Sequence, residues 1–175
     1  AVVPNMTAGR VWRKVSRSES LDLPVGGAMG KASSMALGLC LSQPDKKVIV
    51  VDGDWGLLMN LVTLVAKRGT SPENLFHFVA GNGVYAVTGG QSTPNFGGIR
   101  FAGIARSAGY AIAFEIDDLK EFATSVDEVM DDKEPVLVSI KTEPEIENTP
   151  IWERSRGAAR RTPEAIKEFM RALAW

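Results

Sequence analysis

The sequence predicts an α/β domain of three layers, a mostly parallel sheet with helices on both faces. Three observations carry that expectation. Apolar, β-branched runs at 47–52 (KVIVVD), 75–80 (LFHFVA) and 135–141 (PVLVSIK) have the length and continuity of strands buried on both sides. Helical patterns separate them, as in a parallel sheet with crossover connections. Gly, Pro, Asn and Asp gather at the junctions, where turn chemistry needs them.

Taken in order, a helix over 31–43 is entered through Gly26-Gly27-Ala28-Met29-Gly30. The turn Gln43-Pro44-Asp45 leads to the strand over 47–52. A helix over 57–68 follows and closes at Gly69, because glycine tolerates the left-handed geometry that ends helices. After the strand over 75–80 comes a loop over 81–98 rich in Gly, Asn, Thr and Pro. Loops of that length in compact domains usually serve function or are disordered. Then follow a short helix over 99–108, a strand over 110–115, a helix over 118–130 and the strand over 135–141. Near the end Thr162 caps a helix with Pro163 at its first position, and Ile166, Phe169, Met170 and Leu173 give it an apolar face. The chain, 1–175, reads as one domain, with 150–175 a basic segment and helix available as an interface.

Composition removes several classes of function. A net charge of −1 gives no electrostatic case for nucleic acid. No apolar run approaches membrane-spanning length. Cys40, the single cysteine, lies in an apolar helical run and reads as core, which fits a reducing, cytoplasmic setting. Ala1-Val2-Val3-Pro4 has no signal-peptide character, and without an initiator Met further residues are expected upstream.

Asp54 is the most informative position. It follows a buried strand and precedes a helix, so its carboxylate sits near a low-dielectric core and needs a cation or strong donors. The free N–H groups of the helix start favour an anion, and magnesium bridging a carboxylate and a diphosphate would meet both demands. Alone, Asp54 reads more simply as a helix cap. Asn82 shifts the balance: it follows the next strand, and parallel neighbours present their carboxyl ends at one edge. Asp54, Asn82 and the Val84 carbonyl then converge on one magnesium, although Asn82-Gly83 by itself is also a common turn pair. The Gly26–Gly30 stretch lets backbone approach a ligand and projects Met29 beside it, or it is only a tight loop before a helix.

These residues resemble the metal–diphosphate motif of thiamine diphosphate enzymes, Gly53-Asp54 followed by Asn82. The wider text resembles sulfopyruvate and phosphonopyruvate decarboxylases at Gly27-Ala28-Met29-Gly30-Lys31-Ala32-Ser33, at Leu57-Leu58-Met59-Asn60-Leu61 and at Thr88-Gly89-Gly90-Gln91. The resemblance spans 25–93 closely and continues loosely to Lys141. It implies the diphosphate-binding domain of such an enzyme, with thiamine diphosphate and Mg2+ as cofactors. By resemblance Asp54, Asn82 and the Val84 carbonyl hold the metal. Gly27, Ala28, Met29, Gly53, Trp55, Gly56 and Tyr85 line the cofactor, Gly27 through its carbonyl and Met29 as the apolar wedge that bends it. Two positions depart from the pattern: Trp55 stands where a small residue is usual, with Gly56 beside it, and Gly81 replaces a polar residue before Asn82.

The resemblance further implies a heteromer. The activating glutamate of these enzymes belongs to a pyrimidine-binding domain, which this chain has no room for. A partner subunit is therefore expected, in an assembly of at least α2β2, acting as a lyase on a small 2-oxo acid. Two rival readings remain. One is a subunit resembling the β chains of 2-oxo acid:ferredoxin oxidoreductases; the other is a non-catalytic partner whose cofactor site has degenerated. His77 reads as a core histidine, and Thr88–Gln91 either lines the substrate side or is a mobile loop. Arg154, Arg156, Arg160 and Arg161, flanked by Trp152 and Trp175, read as a solvated or subunit-contact face.

Overall fold

Each predicted apolar run becomes a strand, and the strands lie parallel. A computed structural model describes residues 1–146, 148, 149, 152, 153 and 162–173. In chain order the elements are β1 (Val2–Pro4), α1 (Met6–Trp12), α2 (Ala32–Ser42), β2 (Val48–Gly53), α3 (Asp54–Leu58), α4 (Val62–Thr70) and β3 (Leu75–Gly81). A small hairpin of β4 (Val84–Tyr85) and β5 (Gln91–Ser92) comes next. The chain continues with α5 (Phe101–Ala108), β6 (Ile112–Ile116), α6 (Leu119–Asp131), β7 (Val136–Lys141) and α7 (Thr162–Ala172). The main sheet has five strands in the order β1-β2-β3-β7-β6, all parallel.

Crossover handedness decides which face each helix covers. Right-handed connections that step one way across a sheet put their helices on one face, and a step back puts its helix on the other. The chain advances from β1 to β2 to β3 through α2, α3 and α4, and steps back from β6 to β7 through α6. On the first face Val3, Val48, Val50 and Leu75 pack with Ala36, Leu39 and Cys40 of α2 and with Phe169 of α7. Val79, Ala113 and Leu137 continue that face against Leu57, Leu64, Phe101 and Ala105. On the opposite face Phe76, Phe78, Val136 and Val138 meet Phe122 and Val129 of α6, with the Phe78 and Phe122 rings edge to face at 6.2 Å. The alternation of β3 and β7 residues between the two faces is the two-sided burial expected of a parallel sheet.

The structure corrects several sequence expectations. The single helix over 57–68 is two helices, because residues 59–61 turn and Asn60 Nδ2 donates to Gly30 O at 2.8 Å; the second does not close at Gly69 but runs through it to Thr70, where Ser71 takes the left-handed backbone (φ 38°). The strand over 110–115 runs instead at Ile112–Ile116, since Gly109 ends α5 in the left-handed region (φ 101°) and Tyr110 drops into the core. The loop over 81–98 carries the β4–β5 hairpin and a 3-10 turn at Phe96–Gly98. Residues before 26, unassigned by pattern, supply β1 and α1. On α7 the buried residues are Ala165 and Phe169, with Leu173 just beyond, whereas Ile166 and Met170 lie on the exposed flank. Cys40 is buried, as expected. Trp152 is exposed, while Arg154, Arg156, Arg160, Arg161 and Trp175 lie outside the described residues. Among the described residues no helix is long and apolar enough to cross a membrane.

Candidate functional site

The register of β2 and β3 places Gly53 opposite Ala80, so the two chains leave the sheet side by side at its carboxyl edge. Asp54 opens α3 there and is buried. Its Oδ1 accepts from Trp55 N at 2.8 Å, and its Oδ2 accepts from Gly83 N at 3.2 Å. The second bond joins the loop after β2 to the loop after β3. Asn82 Oδ1 accepts from Val84 N at 3.1 Å. In a strand, the N–H and C=O of one residue face the same side, so the Val84 carbonyl points toward the side that Asn82 Oδ1 occupies. The neighbouring carbonyls of Gly83 and Tyr85 are taken within the hairpin, by Thr93 N and by Thr88 N and Gly90 N.

The two departures from the motif have internal partners. The Trp55 ring lies 5.2 Å from the Tyr85 ring at 33°, so the indole leans on the hairpin. Gly81 and Gly83 both face Phe96: a Cβ on Gly81 would lie 3.1 Å from Phe96 Cζ, and one on Gly83 would lie 2.6 Å from Phe96 Cδ1. A Cβ on Gly83 would thus clash with the Phe96 ring, while one on Gly81 would press against its edge.

The Gly26–Gly30 loop reaches the same rim. Gly27 and Gly30 adopt left-handed backbone at φ 70° and 72°, which favours glycine. Gly30 sits against Gly56 O and the Cβ atoms of Met59 and Asn60. Its carbonyl is held by Asn60 Nδ2. Val25, just before the loop, donates to Pro4 O and accepts from Met6 N, each at 3.0 Å. Ala28 packs on the core beneath and Met29 is half-exposed at the rim. Thr88 and Gln91 close the hairpin tip, with Gln91 Nε2 donating to Thr88 O at 3.0 Å.

Beneath the rim runs a buried polar row, with Asn5 just past β1, Asp52 on β2 and His77 on β3, of which sequence reasoning singled out only His77. Asp52 Oδ1 accepts from Asn5 Nδ2 at 2.7 Å and from Gly53 N at 2.9 Å. His77 Nε2 lies 3.9 Å from Asp52 Oδ2, both side chains fully buried. Asp52 sits two residues from Asp54 inside a strand, and an Asp there was the available signal. Asn5 and Phe96 carry no pattern of their own.

Among the described residues no cluster of three or more His, Cys, Asp and Glu is placed to hold a metal. An all-protein cage is thus absent from that part of the chain. The oxygen-only pair Asp54 and Asn82 fits an ion that takes the rest of its shell from phosphate and water, which is the habit of magnesium.

A parallel α/β sheet gathers its ligand-binding loops at the carboxyl rim, and here that rim carries a buried carboxylate, an amide oxygen and a glycine loop. The family model described as "Thiamine pyrophosphate enzyme, C-terminal TPP binding domain" matches residues 4–140, and the chain belongs to that family. A sulfopyruvate decarboxylase subunit beta of Methanothermobacter thermautotrophicus is 38% identical over 71% of this chain and 64% of its own length. The corresponding subunit of Methanocaldococcus jannaschii is 34% identical over 67% of this chain and 62% of its own. A phosphonopyruvate decarboxylase of Streptomyces hygroscopicus is 33% identical over 79% of this chain but only 34% of its own. The chain thus spans under two thirds of the β subunits and about a third of the Streptomyces protein. A solved Mycobacterium smegmatis chain described as a thiamin diphosphate-dependent enzyme superposes with a TM-score of 0.69 at 17% identity, covering 82% of this chain and 28% of that one. That likeness is one of fold.

Proposed function

We propose that this chain is the diphosphate- and magnesium-binding subunit of a heteromeric 2-oxo acid decarboxylase, or of a related carboligase. The observation that carries the reading is the bond from Gly83 N to Asp54 Oδ2, which locks the two motif loops onto one rim. Asp54 and Asn82 would supply side-chain oxygens to Mg2+, with the Val84 carbonyl beside them. Gly27, Ala28 and Met29 would seat the far end of the cofactor, and Gly53, Trp55, Gly56 and Tyr85 its diphosphate side. Bound there, thiamine diphosphate supplies the nucleophile and electron sink for loss of carbon dioxide from a 2-oxo acid. The chain's own part is to hold, orient and shield it. The names of the relatives favour a sulfonated or phosphonated pyruvate as substrate.

The names of the β-subunit relatives and one surface of this chain support a partner subunit. On α4 the outward residues Val62, Val65, Ala66 and Gly69 recur at the spacing of a helix-packing seam, and Met59 and Met29 extend it to the rim. Val62 and Val65 are 75% and 62% exposed, where a solvated helix face would be polar. We assign this seam to the pyrimidine-binding subunit, in an assembly of at least α2β2. A ferredoxin-coupled β subunit is less well supported, since Cys40, the chain's one thiol, is buried in the core.

The test is calorimetry with thiamine diphosphate and Mg2+ on the chain mixed with its partner. Magnesium-dependent binding is expected for the wild type, and Asp54→Ala abolishes it while leaving the chain folded. Cofactor binding with unchanged metal dependence in Asp54→Ala would refute the assignment. An absence of magnesium-dependent heat in the wild type would favour a non-catalytic partner.

A further inference from the structure

Asn5 occupies the N-cap of α1, yet its side chain makes no bond to that helix. Asparagine is among the preferred residues at this position because its oxygen satisfies a free helix N–H. Here the amide turns inward and donates across the chain to Asp52 Oδ1 at 2.7 Å. The carboxylate acceptor fixes the amide's orientation, NH2 toward Asp52. Asn5 is 3% exposed and Asp52 is fully buried, so this bond forms in a low-dielectric interior. Met6, next in the chain, takes a left-handed φ of 46°, an unfavourable backbone for a non-glycine residue. A foregone cap and a strained neighbour at one junction are costs that persist where surrounding structure demands them.

The junction ties together the two halves of the rim. Asn5 N donates to Val51 O at 2.9 Å, and Asn5 forms a parallel bridge with Val25, immediately before Gly26-Gly27. Through its side chain it reaches Asp52, whose Oδ1 also accepts from Gly53 N, the residue before Asp54. The first turn of α3 is moulded to this pair: a Cβ on Gly56 would lie 2.1 Å from Asp52 Oδ1 and 3.0 Å from Asn5 Nδ2. The requirement for glycine at 56 is thus set from below the turn.

We propose that Asn5 is a positioning residue. It holds Asp52 so that the Gly53 bend delivers Asp54 to the rim, and it keeps the Gly27 loop in register with that point. The inference rests on the reading of Asp54 as a metal ligand. Asn5→Ser separates this role from a structural one, because serine caps α1 from the same position but cannot reach Asp52. With the partner subunit present, Asn5→Ser is expected to bind magnesium thiamine diphosphate about tenfold more weakly, the low end for residues that orient a metal ligand from behind. Its melting temperature should stay at or above that of Asn5→Ala, in which both the cap and the Asp52 bond are gone. Wild-type affinity in Asn5→Ser would overturn the proposal, as would affinity lost only in proportion to unfolded protein. If the wild type binds no magnesium thiamine diphosphate, the metal-site reading falls. The inference is then decided by the amide resonances of Gly53 and Gly83. Shifts of both in Asn5→Ser uphold it, and unchanged positions overturn it.

Discussion

Replacing Gly83 by Ala strikes the Asn82 turn where backbone geometry and packing both oppose a side chain. The backbone there has φ 69°, and the new Cβ would lie 2.6 Å from Phe96 Cδ1. Left-handed backbone costs an L residue about 1–2 kcal/mol, and forcing a methyl into filled space costs about 1–3 kcal/mol more. The expected loss is therefore about 2–5 kcal/mol. For a chain of this length each kcal/mol lowers the melting temperature by about 2–4 °C, so a fall of roughly 4–20 °C is predicted. Thermal and urea unfolding measure it. The steric share is separable by trimming the ring: Phe96→Leu alone should destabilise modestly, and Gly83→Ala with Phe96→Leu should recover about 1–3 kcal/mol of the single-variant loss. The backbone share should remain. Effects that add within about 0.5 kcal/mol would show that Phe96 does not bear on Gly83, and the packing account of the Asn82 turn would fail.

Three further outcomes are expected. Asn60→Ala removes the donor to Gly30 O and should weaken thiamine diphosphate binding several-fold, with little change in magnesium dependence, by calorimetry on the assembled protein. Val65→Glu should prevent co-purification with the partner subunit while leaving the chain's own melting temperature within about 2 °C, because an exposed substitution costs the fold little. Burial pushes the Tyr110 hydroxyl well above its ordinary value of 10, so its neutral form favours the folded state. That stability is present in full below pH 10 and declines as pH rises above it, and Tyr110→Phe should remove this alkaline loss in pH-dependent urea unfolding.

How much of this was legible in the sequence differs by element, for physical reasons. Strands β2, β3 and β7 announced themselves because residues buried on both faces leave unbroken apolar runs. Strand β1 did not: three residues ending in Pro4 are too short for any period to show. The break between α3 and α4 was hidden because residues 59–61 contain no Gly or Pro to mark a helix stop. Their turn is imposed by the Gly30 loop, a contact between residues 30 positions apart. That the loops carrying Asp54 and Asn82 leave the sheet at one rim was readable from chain order once the strands were taken as parallel neighbours. Trp55 and Gly81 looked like departures because their partners, Tyr85 and Phe96, lie across a hairpin inside a segment read only as loop. Asn5 was unreadable for the same reason, as its partner is 47 residues away.

One divalent ion shared by the loops after β2 and β3 is the centre of the proposed site. Manganese takes the same oxygen-rich octahedral sites as magnesium and scatters anomalously. Crystals of the assembled protein grown with Mn2+ and thiamine diphosphate should show an anomalous peak within about 2.3 Å of both an Asp54 carboxylate oxygen and Asn82 Oδ1. A peak elsewhere with the cofactor bound, or bound cofactor with neither residue touching the metal, would contradict it.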